Sequence, residues 1–457
     1  MARDFNLFKQ EIKNQKVAVI GLGVSNIPLV RFLLKLGAKV TAFDKRPMEE
    51  LDQAVRTFEG QAEFVLGEDY LDDLTGYPLI FRTPGMRPDV PALEKARSQG
   101  SLVTSEMREF MRHCPGKMIG ITGSDGKSTT TTMIHGLLQA QGHKSRIGGN
   151  IGFPLFDEIE TIEEDEYIVL ELSNFQLMDL GVSPEIAVVT NLSPNHLDIH
   201  KDMEEYRQAK INIFRFQNET DTLIINLDNE YTREFKQLAK GMVKGFSSKE
   251  KADAHFANGT IFLRNQAVVD LADMKLKGIH NAENLCTALL ATEGLVDLDT
   301  ARRFAIEFAG VKHRAQFIAK KREVRYYNDS IASSPTRTLA TIRSFGDDWG
   351  RINIILGGVD KNLDYTELAE AGKAYFRNII LVGAAKEKIR RAFIASGGDA
   401  AERLIDADSF EEAVELIAKV SIPGDVAILS PACASFDMFR NFEKRGERFE
   451  ELVLAME

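Results

Sequence analysis

Only three cysteines occur in 457 residues, Cys114, Cys286 and Cys433. Their odd number and wide spacing exclude a disulfide framework and give no zinc-type pattern, so a reducing, cytoplasmic setting is expected. Basic charge is also short. Lys and Arg total 57 against 68 Asp and Glu, a net charge of −11. That argues against a general nucleic-acid binder, whose partner attracts basic faces, but leaves room for a local basic pocket. Long apolar runs are missing. None approaches the length of a membrane span, and the opening "MARDFNLFKQEIKNQ" has no apolar signal-peptide core. There is no low-complexity tract and no short-period repeat. What is present is a 44% hydrophobic chain long enough for two or three domains.

The first segment alternates a strand "KVAVI", a turn "GLGVSN", a helical stretch "IPLVRFLLKLGA" and a strand "KVTAFD". This is a βαβ unit whose glycine turn can bring phosphates to a helix N-terminus. Gly21 and Gly23 fit a dinucleotide fingerprint, but its third glycine position holds Asn26. The half-fingerprint leaves NAD and other nucleotides open. Asp44 ends the second strand, where it could hold a ribose or base or could be a solvated strand-end acid. "RTPGMRP" places Thr83, Pro84 and Gly85 in a turn after the strand "YPLIF". The segment ends near Pro115 and Gly116, which break a helix.

The second segment opens with "KMIGIT", then "GSDGKST", then a helical run. Strand, glycine loop and helix together are the context of a nucleotide loop. Gly123 and Gly126 are separated by two residues rather than the usual four, so the loop is a variant. Its physics survives: backbone N–H groups and a helix N-terminus face phosphates, Lys127 supplies charge, and Ser128 or Thr129 can reach Mg²⁺. "EYIVLE" reads as a strand ending in Glu171, an acid placed to serve that metal. "IAVVTN" is another strand, ending at Asn191 with His196 beyond. Lys210 lies on the amphipathic helix "EEYRQAKINIF", where the simplest expectation is a surface lysine. Asn281 and Asn284 fall one turn apart on a further helix, as caps or as an adenine contact.

The third segment again alternates strands and helices: "VRYYND", "SPTRTLATIRSF", "RINIILGG", "NIILVG", "DVAILS" and "FEKRGERFEELV". The expected class is α/β with mostly parallel, doubly wound sheets. Functional groups should sit at strand carboxyl ends, here Asp329, Lys361 and Ser435.

In order, "TGSDGKST", "GGNIG", "ELSNFQL", "TNLSPNHLD", "YRQAK", "GIHNAEN", "HR", "NDS", "GGVDKN" and "SPACASFDMFRNFEKRG" resemble the Mur ligase family over essentially the whole chain. The resemblance implies three domains. These are a Rossmann-like UDP-substrate domain over 1–115, a P-loop ATPase-like domain over 116–312 and a Rossmann-like amino-acid domain over 313–457. It implies an ATP-dependent amide ligase of peptidoglycan precursor synthesis. The last motif is the mark of the member that adds D-glutamate to UDP-N-acetylmuramoyl-L-alanine. The implied reaction runs through an acyl phosphate and a tetrahedral intermediate. A related ligase of folylpolyglutamate type is the alternative, and the uracil-type first domain and the closing motif argue against it. A dehydrogenase using "GLGVSN" for NAD leaves the phosphate loop unexplained.

Residue by residue, the resemblance puts the ATP phosphates on Gly123, Ser124, Asp125, Gly126, Lys127, Ser128 and Thr129. Asn281, Asn284, His313, Arg314 and Asp329 would surround the rest of the nucleotide. Ser128 and Glu171 would hold one Mg²⁺; His196 and Lys210, the latter as a carbamate, would hold a second. Catalysis would rest on Lys127, Glu171, His196 and Lys210. The UDP substrate would meet Gly23, Val24, Ser25 and Asn26, then Asp44, Lys45 and Arg46, then Thr83, Pro84 and Gly85, with Asn150 from the second domain. D-Glutamate would meet Ser333, Lys361, Ser435, Phe436 and Phe442. Ile331 stands where the family often has a lysine after "NDS". The expected partners are small molecules only, acting on a monomer with no nucleic acid and no membrane span.

Overall fold

The computed structural model describes residues 5–456 except 24, 153, 195–199, 344, 346, 347, 349 and 360–362; the side chains of Ala400 and Ala401 are also outside the description. Val24, His196 and Lys361 therefore lie outside the described residues. The chain forms two compact units, Met1–Phe308 and Ala309–Glu457.

The first unit contains two sheets. One has five parallel strands, Lys16–Ile20, Lys39–Asp44, Glu63–Leu66, Leu79–Arg82 and Leu102–Thr104, in the spatial order third, second, first, fourth, fifth. Its two leading strands expose only their first residue. Helices cover both faces of such a sheet, so its strands read as unbroken apolar runs. The second sheet is built around Lys117–Thr122, flanked by Tyr167–Glu171 and Ile186–Val189, all parallel. Ser145–Gly149 lies outside Tyr167–Glu171, and Thr222–Asn226 and Met242–Ser247 extend the other side. An apolar core joins the two sheets: Phe8, Phe32 and Phe156 cluster with Leu170 and Leu172, and Phe8 and Phe156 are 5.8 Å apart between ring centres.

The second unit is a six-stranded sheet, Gln316–Lys321, Val324–Asn328, Val426–Leu429, Ile352–Gly357, Phe376–Val382 and Leu404–Asp406 in spatial order. The first pair is antiparallel and the others are parallel.

The α/β class and mostly parallel sheets agree with the alternating pattern. Two antiparallel additions go beyond it. Ala254–Ala257, Thr260–Leu263 and Gln266–Asp270 form hairpins at one edge of the second sheet. Gln316–Lys321 turns back through Arg322 and Glu323, both in the left-handed region (φ 49° and 62°). Two-residue hairpin turns require this backbone because its twist matches that of the strands. Among the described residues no helix is long and apolar enough to cross a membrane.

Candidate active site

Three parallel strands deliver the central site. Lys117–Thr122 leads into the glycine loop, Tyr167–Glu171 ends in the candidate metal carboxylate, and Ile186–Val189 leads to Thr190 and Asn191. All three point their carboxyl ends the same way, which is where α/β sheets bind ligands. The loop is braced from the third strand: Asp125 N donates to Asn191 Oδ1 at 2.9 Å, and Thr190 Oγ1 donates to Asp125 O at 2.5 Å.

Helix Lys127–Ala140 starts from Gly126 and has no side-chain cap. Ser105, Asp202 and Ser409 cap other helices by the usual acceptor bond. An uncapped N-terminus after a glycine loop is an anion site in waiting. Lys127 Nζ reaches back to Gly123 O (2.9 Å) and Ser124 O (2.7 Å).

The two loop glycines are required by space as well as by backbone. A Cβ on Gly123 (φ +149°) would meet Thr190 Oγ1 at 2.0 Å, and one on Gly126 (φ +78°) would meet Asn284 Oδ1 at 2.5 Å. Gly123→Ala is therefore expected to displace the loop. At ~1–3 kcal/mol of backbone strain, ATP-analogue binding should weaken by about tenfold or more. Calorimetric titration checks this, and wild-type affinity would contradict it.

Glu171 is 1% exposed. Asn150 Nδ2 donates to its Oε1 at 2.8 Å, while Oε2 is buried with no hydrogen-bond partner among the described residues. A buried carboxylate oxygen without a donor is costly unless a cation completes it. Mg²⁺ takes one or two protein oxygens together with phosphate oxygens. The orphaned oxygen, the uncapped helix and the glycine cradle fit a Mg–nucleotide. Among the described residues no three His, Cys, Asp or Glu side chains converge closely enough to hold a metal ion by themselves, so the phosphate oxygens would complete the coordination. Asn150, expected at the UDP substrate, lies beside Glu171 in this site.

Lys210 is not a surface lysine. It is 1% exposed near the end of helix Met203–Ile211, and its Nζ lies 3.0 Å from both Thr122 Oγ1 and Gly123 O. Burial, reinforced by the Lys127 charge and only partly opposed by Glu171, holds its pKa well below the lysine range. Asn284 packs against the loop: Thr130 Oγ1 donates to its Oδ1 at 3.3 Å and its Nδ2 donates to Asn281 Oδ1 at 3.2 Å.

In the first sheet, the registers of Lys16–Ile20 with Lys39–Asp44 and Leu79–Arg82 bring the glycine turn, Asp44 and the Thr83 turn to one edge. Asn26 fills the third-glycine position by folding back, its Nδ2 donating to Ile20 O (3.0 Å) and Gly21 O (2.9 Å). Asp44 is buried rather than solvated. It accepts from Leu22 N at 2.7 Å and from Arg46 through N, Nε and Nη2 at 2.9 Å each. Burial alone would raise its pKa, but the Arg46 bonds outweigh that and hold it low. Lys45 pairs with Glu68 at the surface. Met86 N donates to Thr83 O at 3.1 Å, closing the Pro84–Gly85 turn.

The second unit brings His313 against Phe442. His313 Nδ1 meets Asn328 Nδ2 at 3.0 Å and its ring lies edge-on to Phe442. Asp329 accepts from Ser430 Oγ (2.6 Å) and Ala315 N (3.0 Å), and burial raises its carboxyl to about 6. Ser435 is buried, Phe436 is exposed, and Ser333 N donates to Ile331 O.

Two residues escape a reading of sequence alone. Arg445 is buried, donates to Ser330 Oγ, Ser330 O and Cys433 O, and keeps Nη1 without a partner among the described residues. Burial lowers it to about 10. Its signal was the "FEKRG" motif, which drew attention to Phe442 alone. His200 is buried with Nε2 at 2.7 Å from Asn174 Nδ2. It stood in the same loop as His196 and carried no pattern of its own.

This fold and site define a three-sheet ATP-type ligase, and the comparisons agree. Family models match over 15–105 (Mur ligase MurD-like, N-terminal domain), 121–292 (Mur ligase middle domain) and 313–433 (Mur ligase, glutamate ligase domain). The chain belongs to the Mur ligase family. It is 50% identical to the UDP-N-acetylmuramoylalanine–D-glutamate ligase of Clostridium kluyveri, over 100% of both chains. It is 47% identical to the Clostridium perfringens enzyme of the same name, over 99% of both. Among solved structures, the UDP-N-acetylmuramate–alanine ligase MurC of Thermotoga maritima aligns at TM-score 0.55 and 18% identity, over 96% of this chain and 99% of that one. MurF of Acinetobacter baumannii aligns at 0.55 and 16%, over 97% and 92%.

Proposed function

We propose that this chain is the ATP-dependent ligase that joins D-glutamate to UDP-N-acetylmuramoyl-L-alanine in peptidoglycan precursor synthesis. The observation that carries this is the identity of about half the residues, end to end, with relatives bearing that activity in their names. The reading divides the chain into a UDP-substrate domain (1–115), an ATP domain (116–312) and an amino-acid domain (313–457). It takes the enzyme to be cytoplasmic and monomeric, in keeping with three buried free thiols.

A carboxylate resists amines because its oxygen is a poor leaving group. Transfer of the ATP γ-phosphoryl group to the L-alanyl carboxylate gives an acyl phosphate, whose phosphate can leave. The D-glutamate nitrogen then attacks the carbonyl carbon, and the tetrahedral intermediate expels phosphate and loses a proton to give the amide. ADP and phosphate are released. In this reading the loop from Gly123 to Thr129 and the helix N-terminus cradle the β- and γ-phosphates, and Lys127 balances their charge. Ser128 and Glu171 would hold one Mg²⁺, with His196 and a carbamylated Lys210 at a second. Bound Mg²⁺ supplies charge neutralisation on the phosphates.

The Gly23–Asn26 turn, the Asp44–Arg46 pair and the Thr83–Gly85 turn take the uridine nucleotide, and Asn150, bonded to Glu171, contacts the same substrate from the ATP domain. Ser333, Lys361, Ser435, Phe436 and Phe442 take D-glutamate, with Asn281, Asn284, His313, Arg314 and Asp329 toward ATP. Phosphate release from ATP, measured with the muramoyl-alanine nucleotide in the presence and absence of D-glutamate, tests the reading. D-glutamate-dependent turnover supports it, and turnover with another amino acid instead overturns it.

Ser435→Ala is expected to raise the KM for D-glutamate by about tenfold, the cost of one hydrogen bond to a charged group, with the KM for ATP little changed. A change confined to ATP would place Ser435 at the nucleotide instead.

A further inference from the structure

Two arginines stand at the end of a first-sheet strand and in the loop after it, and each grips a different helical segment next to the second sheet. Arg82 is fully buried. Its Nη1 donates to Thr83 O, Pro84 O and Met86 O, holding its own turn. Its Nη2 donates to Phe175 O at 3.2 Å, and its Nε to Asp179 Oδ2 at 3.0 Å, with a second close contact to the same carboxylate. Phe175 lies in the short helix Asn174–Leu177, which begins three residues after Glu171, and Asp179 follows its end by two residues.

Five residues on, Arg87 forms a two-pronged pair with Glu205, Nη2 to Oε1 at 2.7 Å and Nη1 to Oε2 at 3.1 Å, while Nε and Nη2 also donate to Asp89 of its own loop at 2.8 Å each. Glu205 lies on the helix that carries Lys210. It also accepts from Lys201 N at 2.8 Å and sits 3.4 Å from His200 Nδ1. The circuit closes through His200, whose Nε2 meets Asn174 and whose ring stacks on Phe175. The Arg87 bonds hold the Glu205 carboxyl down at about 2, so the pair is ionic across the working pH range.

A well-packed apolar contact would join the two sheets at no greater cost than the buried Arg82–Asp179 pair, whose desolvation offsets most of its attraction, and the partly exposed Arg87–Glu205 pair contributes little through charge alone. What the planar two-pronged pair adds is a fixed orientation. Arg82 immediately precedes the Thr83–Gly85 turn and Arg87 follows it by two residues; the gripped segments are the helix just beyond Glu171 and the helix that carries Lys210.

We infer that the 82–89 loop is a two-armed strut, in which Arg82 and Arg87 are positioning residues that align Glu171 and Lys210 with the sugar nucleotide held by the same loop. This rests on the proposed ligase function. Arg87 and Glu205 are partly exposed, so their variants should fold.

The experiment measures steady-state ligation by wild type, Arg87→Ala, Arg87→Lys, Glu205→Gln and the double variant Arg87→Ala/Glu205→Gln, with melting temperatures. Displacing reacting groups by about 1 Å from a distant site costs up to about 10²-fold, so kcat in each single variant should fall about ten- to a hundredfold. The KM for ATP and the melting temperature should stay near wild type, and Arg87→Lys should recover part of kcat. Because Arg87 and Glu205 meet in one pair, with Asp89 holding Arg87 from within its own loop in every variant that keeps it, the double variant should be close to the worse single one. Unchanged kcat, losses that multiply in the double variant, or a raised KM for the sugar nucleotide with kcat intact would each overturn the strut; the last would make Arg87 a direct ligand. Failure of the wild type to ligate D-glutamate would strike the functional reading itself.

Discussion

Lys127→Ala should lose ligation almost completely while still binding the uridine nucleotide. The two effects separate because Lys127 begins the helix after the glycine loop, whereas the turns assigned to the uridine nucleotide lie on a different sheet. Lys127 is poised by short bonds to Gly123 O and Ser124 O. Those acceptors hold the ammonium over the mouth of the loop without neutralising it, since a backbone carbonyl carries no net charge. Removing one preorganised donor from developing charge costs roughly 10²–10³-fold in kcat. Lys127→Arg should restore little, because a planar fork does not replace a compact point charge in a loop this tight. Calorimetry should find uridine-nucleotide affinity within about twofold of wild type, as expected for sites that share no contact. Turnover within tenfold of wild type would remove Lys127 from the phosphate site.

Lys210→Met should destroy activity and, compared with wild type freed of CO₂ and Mg²⁺ so that Lys210 is a plain amine, raise stability. The buried amine has its pKa held far below the ordinary value. The unfolded chain therefore binds a proton at Lys210 that the folded chain does not. Stability rises with pH wherever the unfolded state holds more protons. The penalty is fully present at and below the depressed folded pKa. It shrinks as pH rises toward the unfolded value of 10.5, and is absent above that. Methionine fills similar space with no charge to desolvate, and such replacements of buried ionic groups stabilise by ~1–4 kcal/mol. The gain should be visible as a raised melting temperature at pH 7 that narrows toward pH 10.

The same depressed pKa supplies the neutral amine that CO₂ needs to form a carbamate, a hard oxygen ligand suited to Mg²⁺. Protonated lysine has no lone pair to offer a metal. Lys210→Ala should accordingly be rescued in part by a short-chain carboxylic acid, and the wild type should show a carbon-13 carbamate signal. Loss of activity with neither rescue nor signal would leave Lys210 essential as an amine and exclude the carbamate. Full activity in Lys210→Met would exclude both roles.

Much of this was legible along the chain. The strand at 117–122 and the helix after the loop follow from an apolar run, two glycines and a helix-forming stretch, all local signals. The hairpin at Asn258–Gly259 was equally local, an Asn-Gly pair between short β-type runs, though the surrounding alternation of strands and helices is the pattern of parallel sheets.

Sequence by itself determined the element order, the α/β class, the phosphate loop and the family. Each depends on neighbours within a turn or two, or on motifs whose order along the chain is itself the signal. Only the tertiary structure decided which polar residues are buried and what they face. Lys210 reads as one more lysine on an amphipathic helix, and becomes a depressed amine only because the helix lays it beneath Gly123. Asp44 reads as a strand-end acid until Arg46 closes over it. Asn150 meets Glu171 across 21 residues, Arg87 meets Glu205 across 118, and Arg445 meets Ser330 across 115. Desolvation and charge pairing act through space, and chain separation carries no information about either.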